Sequence, residues 1–278
     1  MSQRPLRIGR IAYLNVVPFF HSLDEAGFHG EIRAGVPADL NRLLAAGVID
    51  ACPSSSFEYG RHAPDYLLIP GHSISSIGPV HSVLLFSSGP LDRLDGRTIA
   101  LTGESATSVN LLQILLREVA GCRDVVCRVP DLPIEESLRR GEPTLLIGDR
   151  ALAAAKACAD AGQIHDLGEL WYRHTGLPFV FALWIVRRDA ARRDLAALQA
   201  FARQLDLARQ RAFADLDAVA AALSAREVLE KNEMIAYWRE LSYDLTPAHH
   251  EGLRRYFSLC HKHGLLASVP ELSFLPVA

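Results

Sequence analysis

The chain has 278 residues, and its 29 Lys+Arg against 32 Asp+Glu give a formal net charge of −3. The length suits roughly two domains of ~100–200 residues each. Ordinary hydrophobic (49%) and charged (22%) shares exclude disordered, collagenous and disulfide-scaffold classes, and the lack of a basic stripe argues against nucleic acid as a partner. In chain order, residues 6–11 form a first strand that ends near Asn15, and Pro18 opens a helix through about Ala26, stopped at Gly27. A short strand at 31–34 precedes a helix over 39–46, with Leu40, Leu43 and Leu44 on one face and Gly47 closing it. Residues 48–51 form another short strand, and Pro53-Ser54-Ser55-Ser56 opens a helix over 57–61. This order is that of a parallel sheet with covering helices.

Two more apolar runs, 66–69 and 83–86, lead to a connection over 87–95. The pattern then restarts: strand 98–101, loop Thr102-Gly103-Glu104, helix 105–118, strand 125–129, helix 134–140, strand 144–147 and helix 150–159. An apolar run over 179–186 leads out of this second unit. Everything beyond Asp189 reads as helical. Leu195, Leu198, Phe201, Leu205, Ala208 and Ala212 keep a 3.6-residue period, and Thr246-Pro247 caps a last helix with Leu253, Phe257 and Cys260 inward. The expected architecture is α/β: a two-lobed clamshell with a helical C-terminal region. Residues 1–90 plus 185–278 would form the first lobe and 91–184 the second. Ligands in open α/β sheets sit beyond the carboxyl ends of strands. In a clamshell that place is the cleft, which directs attention to Asn15, 53–56, 102–108 and Gly148-Asp149.

Two of those loops put hydroxyl residues at helix starts, one in each lobe: Ser55 and Ser56, then Ser105, Thr107 and Ser108. Helix starts offer unpaired N–H groups and partial positive charge, which suit a carboxylate or phosphate. Simple N-capping explains either loop alone; two facing one cleft point to a dianionic small ligand. Asn15 is placed either to bond a ligand oxygen or to cap the helix after it. Ser82 sits at a strand edge beside His81, and Glu104 and Asp149 serve equally as acids, bases or helix-terminus residues. No G-x-S-x-G, P-loop, G-x-G-x-x-G or H-E-x-x-H pattern occurs. His249-His250 and His261/His263 diverge on a helix, so a metal is not expected.

Arg4, Arg7 and Arg10 precede an apolar stretch over 11–20, but Asn15 and Pro18 interrupt it and His21, Asp24 and Glu25 follow it, unlike a signal peptide. No run reaches the ~20 apolar residues of a membrane span. Five cysteines without a C-x-x-C pair suit reduced, mostly buried thiols, and the expected location is cytoplasmic.

Several strings together resemble the chorismate dehydratases of the futalosine route to menaquinone. They are Arg10-Ile11-Ala12-Tyr13-Leu14-Asn15 with Pro18-Phe19-Phe20, Ser55-Ser56-Phe57-Glu58-Tyr59, and Ser73-Ile74-Ser75-Ser76 through Gly78-Pro79-Val80. Ser82-Val83-Leu84-Leu85-Phe86-Ser87, Glu104-Ser105-Ala106-Thr107-Ser108, Thr175-Gly176-Leu177-Pro178-Phe179-Val180 and Gly252-Leu253-Arg254-Arg255 extend the likeness over the whole chain. Ala12, Ser54 and His81 depart from the pattern, and His81 adjoins a site residue. The resemblance implies a type-2 periplasmic-binding-protein-like fold turned to catalysis. It implies a carbon–oxygen lyase that removes water from chorismate, without cofactor or metal, to give 3-[(1-carboxyvinyl)oxy]benzoate. Asn15 and Ser82 would hold the reacting end, and Ser55, Ser56, Ser105, Thr107 and Ser108 would clamp carboxylates. The alternatives are the 1,4-dihydroxy-6-naphthoate synthases of the same pathway, whose first-strand motif differs, and a non-catalytic small-anion binding protein.

Overall fold

The computed structural model describes residues 4–157, 163–223 and 228–276, and strand and helix alternate through the first part of the chain. Strand β1 (Arg7–Ile11) leads through a 3-10 turn (Leu14–Val16) into the short helix α1 (Val17–Phe20). Then come β2 (Glu31–Gly35), α2 (Pro37–Ala45), β3 (Ala51–Ser55), α3 (Ser56–His62) and the long β4 (Tyr66–Ser76). The next stretch holds β5 (Val83–Ser87), β6 (Thr98–Leu101), α4 (Ala106–Glu118), β7 (Val126–Arg128), α5 (Ile134–Arg139), β8 (Thr144–Ile147), α6 (Gly148–Ala157), β9 (Gln163–Asp166) and α7 (Leu167–Thr175). The chain closes with β10 (Phe179–Arg187), α8 (Arg188–Arg193), α9 (Leu195–Ala214), α10 (Leu216–Ala221), α11 (Lys231–Glu240), β11 (Ser242–Leu245) and α12 (Pro247–Lys262).

The strands form two sheets, one per lobe. The first has the order β11-β4-β10-β3-β1-β2 and the second β7-β6-β8-β5-β9. In each, a parallel portion (β3-β1-β2; β7-β6-β8) adjoins antiparallel strands. Strand β10 lies between β4 and β3, and all of it but Arg187 is buried. Its unbroken apolar run fits a strand covered on both faces. An apolar core runs continuously through both lobes, with Trp171, Trp184 and Trp238 among its largest buried side chains.

The structure moves several expected boundaries. The strand over 83–86, expected in the first lobe, pairs with β8 and β9 in the second sheet. The start of β10, expected in the second lobe, pairs with β3 and β4 in the first sheet. The chain therefore crosses between sheets at 77–82 and 176–178, rather than near 90 and 185. Asp166 ties the first crossing to α7, accepting from the N–H groups of Val80, His81, Gly168 and Glu169.

Other differences have local causes. The helix expected from Pro18 to Ala26 ends at Phe20 and continues as turns. Strand β3 runs through Pro53, because Ala51–Ser55 pairs with β10 on one side despite the missing N–H. Strand β4 passes Pro70-Gly71 by a bulge opposite Trp184, with Gly71 at φ +79°. β9, α7 and β11 were not among the expected elements. In β11, expected to be helical, Tyr243 and Leu245 turn inward alternately while the strand pairs with β4. The end of the helix expected to reach residue 159, with Cys158, lies outside the described residues.

Candidate active site

The carboxyl ends of β1, β3 and β8 converge on a cleft that opens to solvent. Asn15 and Ser82 both line it. The backbone puts Asn15 there by winding into a single 3-10 turn immediately after β1. Its side-chain oxygen is buried and has no hydrogen-bond partner. A buried unsatisfied acceptor costs about 1–3 kcal/mol, a cost that a ligand donor in the cleft removes. Ser82 ends the crossing segment, is 2% exposed, and its hydroxyl donates only weakly to Val80 O at 3.3 Å. Together they present one acceptor and one lightly held hydroxyl to the same space.

The hydroxyls at the two helix starts divide. Ser55 lines the cleft and caps α3, accepting from Glu58 N at 3.1 Å. Ser105 and Ser108 line the opposite wall at the start of α4; Ser105 caps Ser108 N at 3.3 Å and the two hydroxyls lie 3.0 Å apart. Ser56 and Thr107 are not among the lining residues. The Ser56 hydroxyl donates to Val180 O at 2.6 Å, and Thr107 Oγ1 accepts from Phe57 N at 3.1 Å, joining the two helix starts. Both are fully buried and bonded to backbone.

Sequence reading missed Tyr13 and left Glu104 and Asp149 without a role. The Tyr13 hydroxyl donates to Glu104 at 2.5 Å, reaching from the end of β1 to the β6–α4 loop. Burial first, and then Glu104, pushes the phenol well above the ordinary tyrosine range, so it stays protonated. Arg150 braces Glu104 at 3.2 Å and grips Glu135 with two bonds of 2.7 and 2.8 Å, which holds the Glu135 carboxyl below the usual range. Asp149 accepts from Leu14 N at 2.8 Å. Gly148, at φ +59°, lets α6 come this close: a Cβ there would sit 2.8 Å from the Tyr13 ring. These bonds pair the acids around the cleft with donors. Among the described residues no Lys or Arg lines the cleft, so an anion would be held by helix starts and hydroxyls. His81, expected beside the site, faces outward at φ 61° and pairs with Glu240 at 2.8 Å. No three His, Cys, Asp or Glu among the described residues gather as a metal would require.

Residues 6–262 match the family model described as menaquinone biosynthesis. The chain belongs to that family. A chorismate dehydratase from Thermus thermophilus is 39% identical over 200 residues, covering 67% of this chain and 71% of the relative. A 1,4-dihydroxy-6-naphtoate synthase from the same organism is 23% identical over 97% of this chain and 99% of its own. Among solved structures, the periplasmic aliphatic sulphonate binding protein of Escherichia coli superposes with a TM-score of 0.68 at 15% identity, over 100% of this chain and 95% of that one. That likeness identifies the fold of this menaquinone-biosynthesis protein as the bilobal one of periplasmic binding proteins. Its cleft is lined by Asn15 and Ser55 from the first lobe and by Ser105, Ser108 and Gly148 from the second. No helix among its described residues is long and apolar enough to cross a membrane.

Proposed function

We propose that this protein is a chorismate dehydratase, a hydro-lyase that converts chorismate to 3-[(1-carboxyvinyl)oxy]benzoate and water. The observation that carries the reading is the presence of both Asn15 and Ser82 in a cleft whose walls bear helix starts and hydroxyls and, among the described residues, no Lys or Arg. Chorismate bears two carboxylates, which suit the Ser105–Ser108 start of α4 and the hydroxyl of Ser55 opposite it. The proton on the ring carbon that carries the enolpyruvyl ether is acidified through the diene by the ring carboxylate. In this reading the substrate's enolpyruvyl carboxylate removes that proton, and the adjacent hydroxyl then leaves with it as water. The ring becomes aromatic, so the reaction runs downhill. The protein's share is positioning and charge stabilisation, with Asn15 and Ser82 at the reacting end and Tyr13, Glu104 and Arg150 holding the wall.

The test is incubation of the purified protein with chorismate, following products by mass and ultraviolet absorbance. Loss of one water to an enolpyruvyl-oxybenzoate is expected. Tight binding without turnover would favour a binding protein, and neither binding nor turnover would overturn the proposal. Asn15→Ala and Ser82→Ala are each expected to lower kcat by about 10²–10³, the scale of one preorganised hydrogen bond lost from the transition state. Near-wild-type turnover by both folded variants would remove them from the mechanism.

A further inference from the structure

Helix α11 bonds Ser82 and the turn that carries Asn15, although none of its own residues lines the cleft. Two consecutive side chains do this. The Tyr237 hydroxyl donates to Ser82 Oγ at 2.8 Å, and Trp238 Nε1 donates to Leu14 O at 2.9 Å, one residue before Asn15. Both rings are buried in the core. The turn at Leu14 is thus gripped by Trp238 through its carbonyl and by Asp149 through its N–H.

The direction of the Tyr237 bond matters for Ser82. A serine hydroxyl has one hydrogen and two acceptor lone pairs. Burial raises the Tyr237 phenol well above its ordinary range, so it keeps its proton. With the Tyr237 hydroxyl donating to Ser82 Oγ and the serine hydroxyl donating to Val80 O, Ser82 spends a lone pair on Tyr237 and keeps its own hydrogen for another acceptor. Inside the protein its acceptor is Val80 O, at a long 3.3 Å. A substrate oxygen in the cleft at ordinary hydrogen-bond distance outcompetes that contact.

We propose that Tyr237 is a positioning residue for the dehydration: by occupying a lone pair of Ser82 Oγ, it turns the serine hydroxyl into a donor aimed at the departing hydroxyl of the substrate. The inference rests on the dehydratase reading. Donation from Tyr237 also makes the Ser82 oxygen a poorer acceptor and its hydrogen a better donor, since hydrogen bonds in a chain polarise one another. The contact with substrate strengthens as negative charge gathers on the leaving oxygen, so its effect falls on kcat more than on binding.

The experiment is a double-mutant cycle with Tyr237→Phe and Ser82→Ala, each assayed for kcat and KM with chorismate beside the wild type, and with thermal unfolding confirming that each variant folds. Tyr237→Phe is expected to lower kcat about tenfold with KM within about twofold, the scale of one hydrogen bond lost from an aligned network. In the Ser82→Ala background the same substitution is expected to change kcat by less than about twofold, because the two residues act as one unit. Wild-type kcat for Tyr237→Phe would overturn the inference and leave the dehydratase reading standing. An equal loss in both backgrounds would also overturn it, assigning Tyr237 a packing role. A wild type that does not turn chorismate over would overturn the dehydratase reading, and the inference with it.

Discussion

The starts of α3 and α4 have the same kind of sequence, Ser-Ser-Phe-Glu at one and Ser-Ala-Thr-Ser at the other, yet the fold uses their hydroxyls differently. At α3, Ser55 satisfies Glu58 N, Thr107 reaches across to satisfy Phe57 N, and Ser56 is turned inward to Val180 O. Half of the four N–H groups that a helix start leaves open are thereby taken. At α4, Ser105 covers Ser108 N at a long 3.3 Å, and both serines face the cleft. Helix α4 also has 13 residues against 7 in α3, so the partial positive charge at its start is closer to its full value. Hydroxyl content alone therefore does not identify an anion site. What matters is which N–H groups the rest of the fold has already claimed.

The comparison breaks or sharpens first at Ser108. Ser108→Ala is expected to raise KM for chorismate about thirtyfold, the scale of a hydrogen bond to a charged group, with little change in melting temperature. Steady-state kinetics reads this directly. An unchanged KM for Ser108→Ala, alongside a large rise for Ser55→Ala, would reverse the assignment of the two walls. Thr107→Val comes next, with the opposite signature. It keeps the shape but orphans Phe57 N, so about 1–2 kcal/mol of stability is expected to go, read by urea unfolding. KM in the folded fraction should stay near wild type. A variant as stable as wild type with a raised KM would place Thr107 in contact with substrate.

The lobes were legible in the sequence because each contains a strand–helix–strand run with strong helix punctuation. Asn15, Ser55, Ser105 and Ser108 could be placed at the cleft from sequence because they follow strands or start helices, whereas Ser82, just before β5, drew attention through the family likeness. What stayed hidden depends on distant pairing. Pro53 stops a strand locally, but β10 pairs straight past it. Pro70-Gly71 looks like an end, and is a bulge. Ser242–Leu245 is too short to display a period, and becomes a strand because the edge of β4 is open to it. Gly252 and Pro178 belong to two strings far apart in sequence; a Cβ on Gly252 would lie 2.1 Å from Pro178 O, so α12 packs against the second crossing only with glycine there. Tyr13 and Glu104 sit 91 residues apart and meet only once the lobes do. Ser56 and Thr107 were read as binding residues because sequence shows a hydroxyl and not the direction in which it points.

The smallest expected effect is at Ser55, which lines the cleft and caps α3 at once. Removing an N-cap hydroxyl costs about 1 kcal/mol, so Ser55→Ala should lower stability by that amount. It should also raise KM by less than about threefold, since its lone pair already serves Glu58 N and only its hydrogen remains for a ligand. Ser55→Asp separates the two roles. Aspartate caps as well as serine, so stability should return to wild type, while a negative charge on the cleft wall should repel a dianion and raise KM above that of Ser55→Ala. Restored stability with KM unchanged from wild type would show that the α3 wall never meets a carboxylate, leaving α4 and the Asn15 turn to hold the substrate between them.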